Sequence, residues 1–267
     1  MIRLGLCSGA CITRDIQGVI AAAVAARLDA VEWAADLHIG PGAVKVAGET
    51  MIATLMAGLT TASYATLYQA GGEDEGGARF NALLQTAATL QAPNMRIYAY
   101  AEHRTASETE RIEALASELR CLGDRAAEKG VTLCLSMGRG TYLDGYERAF
   151  GLVEATKHDF VRLAWEDLPG ARAESATASL EDKSRLAELL VARCAGRDGK
   201  ARSVEAEKDA WRSRLGAFKL AERDPKMGRF VFLGATRAEG DEGTASLAAD
   251  ADALRALVEE IEPRKKR

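Results

Sequence analysis

Two carboxylates, Glu166-Asp167, directly follow the apolar run Val161–Trp165, and Glu102-His103 follow Asn94–Tyr98 after a short gap. A histidine near neutral pH facing a carboxylate is a usable proton shuttle. Glu166, Asp167 and His103 are therefore a candidate acid–base set, provided the two runs end at one mouth. His38 stands just past the run Ala30–Trp33, whereas His158 stands before a run and reads as a surface residue. All six tyrosines fall between Tyr64 and Tyr146, and Trp33 and Trp165 each end a run. A ring with a polar edge suits the C–H face of a sugar, so His38, Tyr64, Tyr68 and Trp165 are candidate ligand contacts. Ordinary rim and core packing accounts for the same rings. Arg139 and Arg193 follow two further runs and suit a carboxylate or phosphate on the ligand, with surface arginines as the alternative.

The five cysteines contain no CxxC pair, and none stands at zinc-like spacing from a histidine. Reduced thiols are expected. Cys7 and Cys194 end apolar runs without a histidine partner in sequence and read as small buried thiols, not nucleophiles.

Those groups need a frame that brings run ends together. The apolar or β-branched runs are Arg3–Cys7, Ala30–Trp33, Thr60–Tyr64, Asn94–Tyr98, Thr132–Ser136, Val161–Trp165, Glu188–Ala192 and Arg229–Leu233. They recur roughly every 30 residues, the length of one strand–helix unit. Helical patterns fill the gaps at Ile16–Arg27, Phe80–Leu90, Ser107–Lys129 and Asp250–Ile261, with Pro93 and Gly130 as stop signals. Strict alternation implies parallel strands with right-handed crossovers. The first turn, Gly5-Leu6-Cys7-Ser8-Gly9-Ala10, has neither a dinucleotide fingerprint nor a phosphate-loop lysine, so an open nucleotide-binding sheet is disfavoured. Eight units in 267 residues predict an α/β fold with one (β/α)8 barrel. The seventh strand is the least distinct, because Leu186–Ala192 reads equally as helix. The barrel is expected over residues 1–262, with a basic tail at 263–267.

Apolar side chains make up 48% and charged ones 28%, which excludes wholesale disorder. The net charge of −4 argues against a nucleic-acid or anionic-membrane surface. The Ala-rich stretch Val19 to Ala26 is too short to span a bilayer, and the N-terminus runs straight into a strand pattern with no leader. A cytoplasmic protein, with self-association left open, is the expectation.

Several segments carry a resemblance. In order they are Gly5-Leu6-Cys7-Ser8 with Arg14, Val31-Glu32-Trp33 with Asp36 and His38, and Ser63-Tyr64 with Tyr68 and Ala70-Gly71. Ala92-Pro93 with Arg96, Gly140-Thr141 with Asp144, Val161-Arg162-Leu163 with Trp165, and Asp209 with Trp211 follow. Together they resemble the sugar phosphate isomerase/epimerase branch of the xylose isomerase-like TIM barrels. The resemblance implies a mouth lined by strand C-termini and a small sugar-like ligand. It also implies one divalent ion, such as Mn, Mg or Zn, held by Glu, an acid or amide, His and Glu ending strands five to eight. This chain has Ser136, Glu166-Asp167, Ala192 and Leu233-Gly234 there. At most one ligand survives, so no metal residue and no cofactor is expected. The expected function is metal-independent proton transfer on a sugar or hydroxy-carbonyl compound. The alternative is a non-catalytic barrel binding a polyol or an anion.

Overall fold

A computed structural model describes residues 1–74, 77–100, 107–138, 140–168, 171–192, 202–220, 229–234 and 240–262. Eight parallel strands close into a barrel in chain order: β1 (Ile2–Cys7), β2 (Ala30–Ala34), β3 (Thr60–Ala70), β4 (Asn94–Ala99), β5 (Thr132–Ser136), β6 (Val161–Glu166), β7 (Ala187–Ala192) and β8 (Arg229–Leu233). The ring is sealed where β1 pairs β8, from Ile2↔Arg229 to Leu6↔Leu233. Around it lie α1 (Ile16–Ala25), α2 (Val44–Met56), α3 (Ala78–Thr89), α4 (Glu108–Ala127), α5 (Tyr146–Thr156), α6 (Ala173–Lys183), α7 (Lys208–Leu220) and α8 (Gly240–Ile261). None of the described helices is long and apolar enough to cross a membrane.

The strand after α6 is real. The helix stops at Lys183, a 3-10 turn follows at Ser184–Leu186, and Ala187–Ala192 pairs with both neighbours. β3 runs six residues beyond its sequence expectation, because after a register shift it pairs again with β4 at Gln69↔Tyr98 and Ala70↔Ala99. α4 begins with a capping box: the Ser107 hydroxyl accepts the Glu110 N–H while the Glu110 carboxylate accepts the Ser107 N–H. The tail at 263–267 lies outside the described residues.

Two layers of apolar packing hold the frame. The larger lies between strands and helices and includes Trp33, Tyr64, Trp165 and Trp211. The smaller, with Ala30, Ala62, Cys134, Ala164, Leu189, Val191, Phe230 and Phe232, fills the barrel lumen. Small residues on several strands make room for the two phenylalanines, which stack with centroids 5.9 Å apart. Gly5 is required there, since a Cβ on it would stand 2.6 Å from the Phe232 ring. The filled lumen makes the barrel a packed core and not a pore.

Candidate active site

Successive residues of a strand point to opposite sides, so each strand delivers alternate side chains to the lumen. At the C-terminal ends that alternation delivers Cys7 from β1, Glu32 from β2, Arg96 from β4 and Glu166 from β6. Glu32 is 1%, Glu166 3% and Arg96 6% exposed, so charged groups are buried here. They survive burial by pairing. Arg96 Nε lies 2.9 Å from Glu32 Oε2, and its Nη1 donates to Glu166 Oε1 at 3.1 Å. The Nε contact is close but out of line for a hydrogen bond, leaving that N–H and Glu32 Oε2 without one. The Cys7 thiol donates to the other Glu32 oxygen at 2.8 Å. Burial alone would lower the Arg96 pKa; Glu32 and Glu166 more than reverse this, so the guanidinium is held firmly cationic.

This cluster forms one wall of a cavity of about 290 Å³, lined by Cys7, Glu32, Asp36, Thr66, Arg96 and Tyr98 among others. Ile12, Leu37 and Leu67 give it an exposed apolar rim. Glu166 is not among the lining residues and holds Arg96 by its Nη1 end.

Asp167 turns to the other side of β6. Its Oδ2 accepts from Arg214 Nη1 at 3.0 Å, with Glu207 3.7 Å from the same nitrogen. The Arg214 guanidinium, 2% exposed, lies over the rings of Trp211 and Trp165. Burial pushes Asp167 up to about 6; Arg214 opposes this, while Glu207 and Glu166 add to it. Asp167 therefore belongs to the seam between β6 and α7 and not to the cavity. Of the two carboxylates expected to serve as acid or base, Glu166 thus contacts Arg96 and Asp167 contacts Arg214.

Three expected ligand contacts also lie off this cavity. Tyr64 is fully buried and donates to the Ile39 carbonyl at 2.6 Å; burial pushes its hydroxyl pKa up. Trp165 is fully buried, stacked on Tyr146 and edge-on to Trp211. Tyr68 packs edge-on against Phe80 of α3 and lines a different cavity beside the β3 extension. His38 Nε2 lies 3.0 Å from the Arg14 carbonyl and Nδ1 3.1 Å from Ser8 Oγ, which in turn accepts the Ala34 N–H at 2.8 Å. A carbonyl only accepts, so Nε2 carries the hydrogen and Nδ1 accepts from Ser8. His38 thus ties the loop after β1 to the end of β2. His103, Arg139 and Arg193 lie outside the described residues.

The residues that do converge, Glu32 and Arg96, entered the sequence reading only as part of a resemblance. A signal was available. A buried parallel strand should read as a continuous apolar run, and Ala-Val-Glu-Trp-Ala and Met-Arg-Ile each carry one charge inside such a run.

No protein-family model and no curated protein matches this chain. Solved structures do. An L-ribulose 3-epimerase matches over 100% of both chains at 14% identity with a TM-score of 0.73. A 3-keto-D-glucoside 4-epimerase from E. coli matches over 96% of this chain and 99% of its own at 17% identity, TM-score 0.68. A xylose isomerase domain protein from Planctomyces limnophilus matches over 97% and 98% at 12% identity, TM-score 0.70. Identities this low carry the fold and nothing finer: the chain is a single (β/α)8 barrel whose structural neighbours are xylose isomerase-like.

Proposed function

We propose that the barrel mouth takes a small, uncharged sugar-like hydroxy-carbonyl compound and moves a proton at the carbon beside its carbonyl without a divalent ion. The observation that carries this reading is Arg96, clamped between Glu32 and Glu166 at the cavity wall.

The divalent ion implied by the fold does not suit the residues present. Ser136, Ala192 and Leu233 end β5, β7 and β8, and the β6 carboxylates are engaged by Arg96 and Arg214. A hard dication needs several oxygen or nitrogen ligands, and it would be repelled by a guanidinium fixed 3.1 Å from Glu166. The cationic role therefore falls to Arg96. Glu32, facing the cavity, accepts the carbon-bound proton; the electron pair moves onto the carbonyl oxygen, and Arg96 stabilises the charge that develops there. Glu166 keeps the guanidinium in place. Ile12, Leu37 and Leu67 offer apolar surface to the C–H faces of the ligand. An anionic ligand is disfavoured, because Glu32 and Asp36 line the cavity and Arg96 is already matched by two carboxylates.

A second reading has an observation of its own. A guanidinium saturated by two protein carboxylates is stable without any ligand, as a purely structural ion cluster would be, and that favours a non-catalytic polyol binder. Loss of the proton beside the carbonyl of neutral ketoses in deuterated water, followed by NMR, separates the two. Exchange that Glu32→Gln abolishes supports the proposal. Exchange that survives this substitution refutes it, and binding without exchange in the wild type leaves the binder.

A further inference from the structure

We propose that Cys7 and Glu32 act as one thiol–carboxylate unit, which makes Cys7 a second proton-transfer group of the mouth. This rests on the reading of the site given above. Cys7 and Glu32 are register partners across β1 and β2, so the strand pairing itself holds their side chains together. The thiol donates to Glu32 Oε1 at 2.8 Å, while the other described lumen thiol, Cys134, stands 3.7 Å from Asn94 Oδ1. Cys7 is 5% exposed and lines the cavity, so its sulfur lies at the boundary of the ligand space.

A second observation points to a ligand at the same spot. Glu32 Oε2 and Arg96 Nε, buried atoms of cavity-lining residues, pair by charge at 2.9 Å but make no in-line hydrogen bond with each other. A hydroxyl or carbonyl oxygen at the cavity wall could take up the hydrogen bond that this pair leaves unmade. The contact with Glu32 Oε1 uses the thiol's own proton, since a carboxylate oxygen accepts. Cys7 is thus an acid and not a nucleophile.

The steps balance for a hydrogen shift between adjacent carbons. Glu32 takes the proton from the carbon beside the carbonyl. The C–H pair becomes the new C=C bond, and the carbonyl pair becomes an oxyanion beside Arg96. Cys7 gives its S–H proton to that oxygen, and the resulting thiolate takes the hydroxyl proton of the neighbouring oxygen. Glu32 then returns its proton to the neighbouring carbon. One hydrogen has moved from carbon to carbon and one from oxygen to oxygen, with no outside oxidant or reductant.

The test has two arms. In the Raman difference spectrum of wild type minus Cys7→Ser, the lost S–H stretching band should lie at the low frequency of a strongly donating thiol. A band at the frequency of a weakly bonded thiol overturns the pair, whatever the activity. In the second arm, Cys7→Ala should slow interconversion of a neutral aldose and ketose by roughly 100-fold or more. Carbon-proton exchange by Glu32 should fall much less, and Cys7→Ser should recover part of the loss. Interconversion within twofold of wild type in Cys7→Ala overturns the proposal while leaving the function of the site intact. A wild type that neither exchanges nor interconverts overturns both.

Discussion

Replacing Arg96 with Met keeps most of the side-chain volume and removes a cation that Glu32 and Glu166 share. Each carboxylate oxygen stands about 3 Å from a guanidinium nitrogen. At an effective dielectric of about 20, one such contact amounts to about 5 kcal/mol of attraction before desolvation is counted. Most of that offsets the burial of the charges, yet stranding a buried partner typically costs about 3–5 kcal/mol. Here two carboxylates are stranded, 1% and 3% exposed, and Glu32 keeps a donor in Cys7. Glu166 has further interactions, so the upper part of that range is an upper bound. Against the roughly 5–15 kcal/mol of a whole domain, the loss should be plain in urea unfolding followed by circular dichroism. Adding Glu32→Gln and Glu166→Gln to the same chain should restore much of the stability, since the charges then vanish together. A cost under about 1 kcal/mol, or one that the two glutamine substitutions do not reduce, would refute the electrostatic account of the mouth.

Two further outcomes follow from the surrounding shell. Asp167 is raised from an ordinary 3.8 to about 6, so the folded chain holds a proton that the unfolded chain has lost across that window. Its contribution to stability therefore declines as pH rises from about 4 to 6, on the order of 3 kcal/mol in total. The urea midpoint of Asp167→Asn should gain on wild type across the same interval, and a constant difference would contradict the burial of that carboxyl. Tyr64→Phe leaves the Ile39 carbonyl unpaired in the core and should cost about 1–3 kcal/mol while polyol affinity, by titration calorimetry, stays unchanged. A tenfold loss of affinity would return Tyr64 to the ligand site.

The alternation of short β-branched runs with helical stretches was enough to predict a closed eight-strand barrel. Period and spacing are local properties, and an eight-unit repeat has few ways to bury both strand faces. Helix limits such as the Ser107 cap were legible for the same reason: capping chemistry is decided within four residues. The partners of Arg96 were not. Glu32 and Glu166 stand on β2 and β6, opposite walls of the barrel, and no local pattern relates them. Nor does sequence state which parity of a strand faces the lumen. That choice sends Glu166 to Arg96 but turns its neighbours Trp165 and Asp167 outward to α7, and it places Tyr64 in the shell and Cys7 in the mouth. Parity depends on how each strand's register meets the next around a closed ring, with shifts within β2–β3, β3–β4 and β6–β7. The sequence determined the barrel; ring closure decided which of its charges meet.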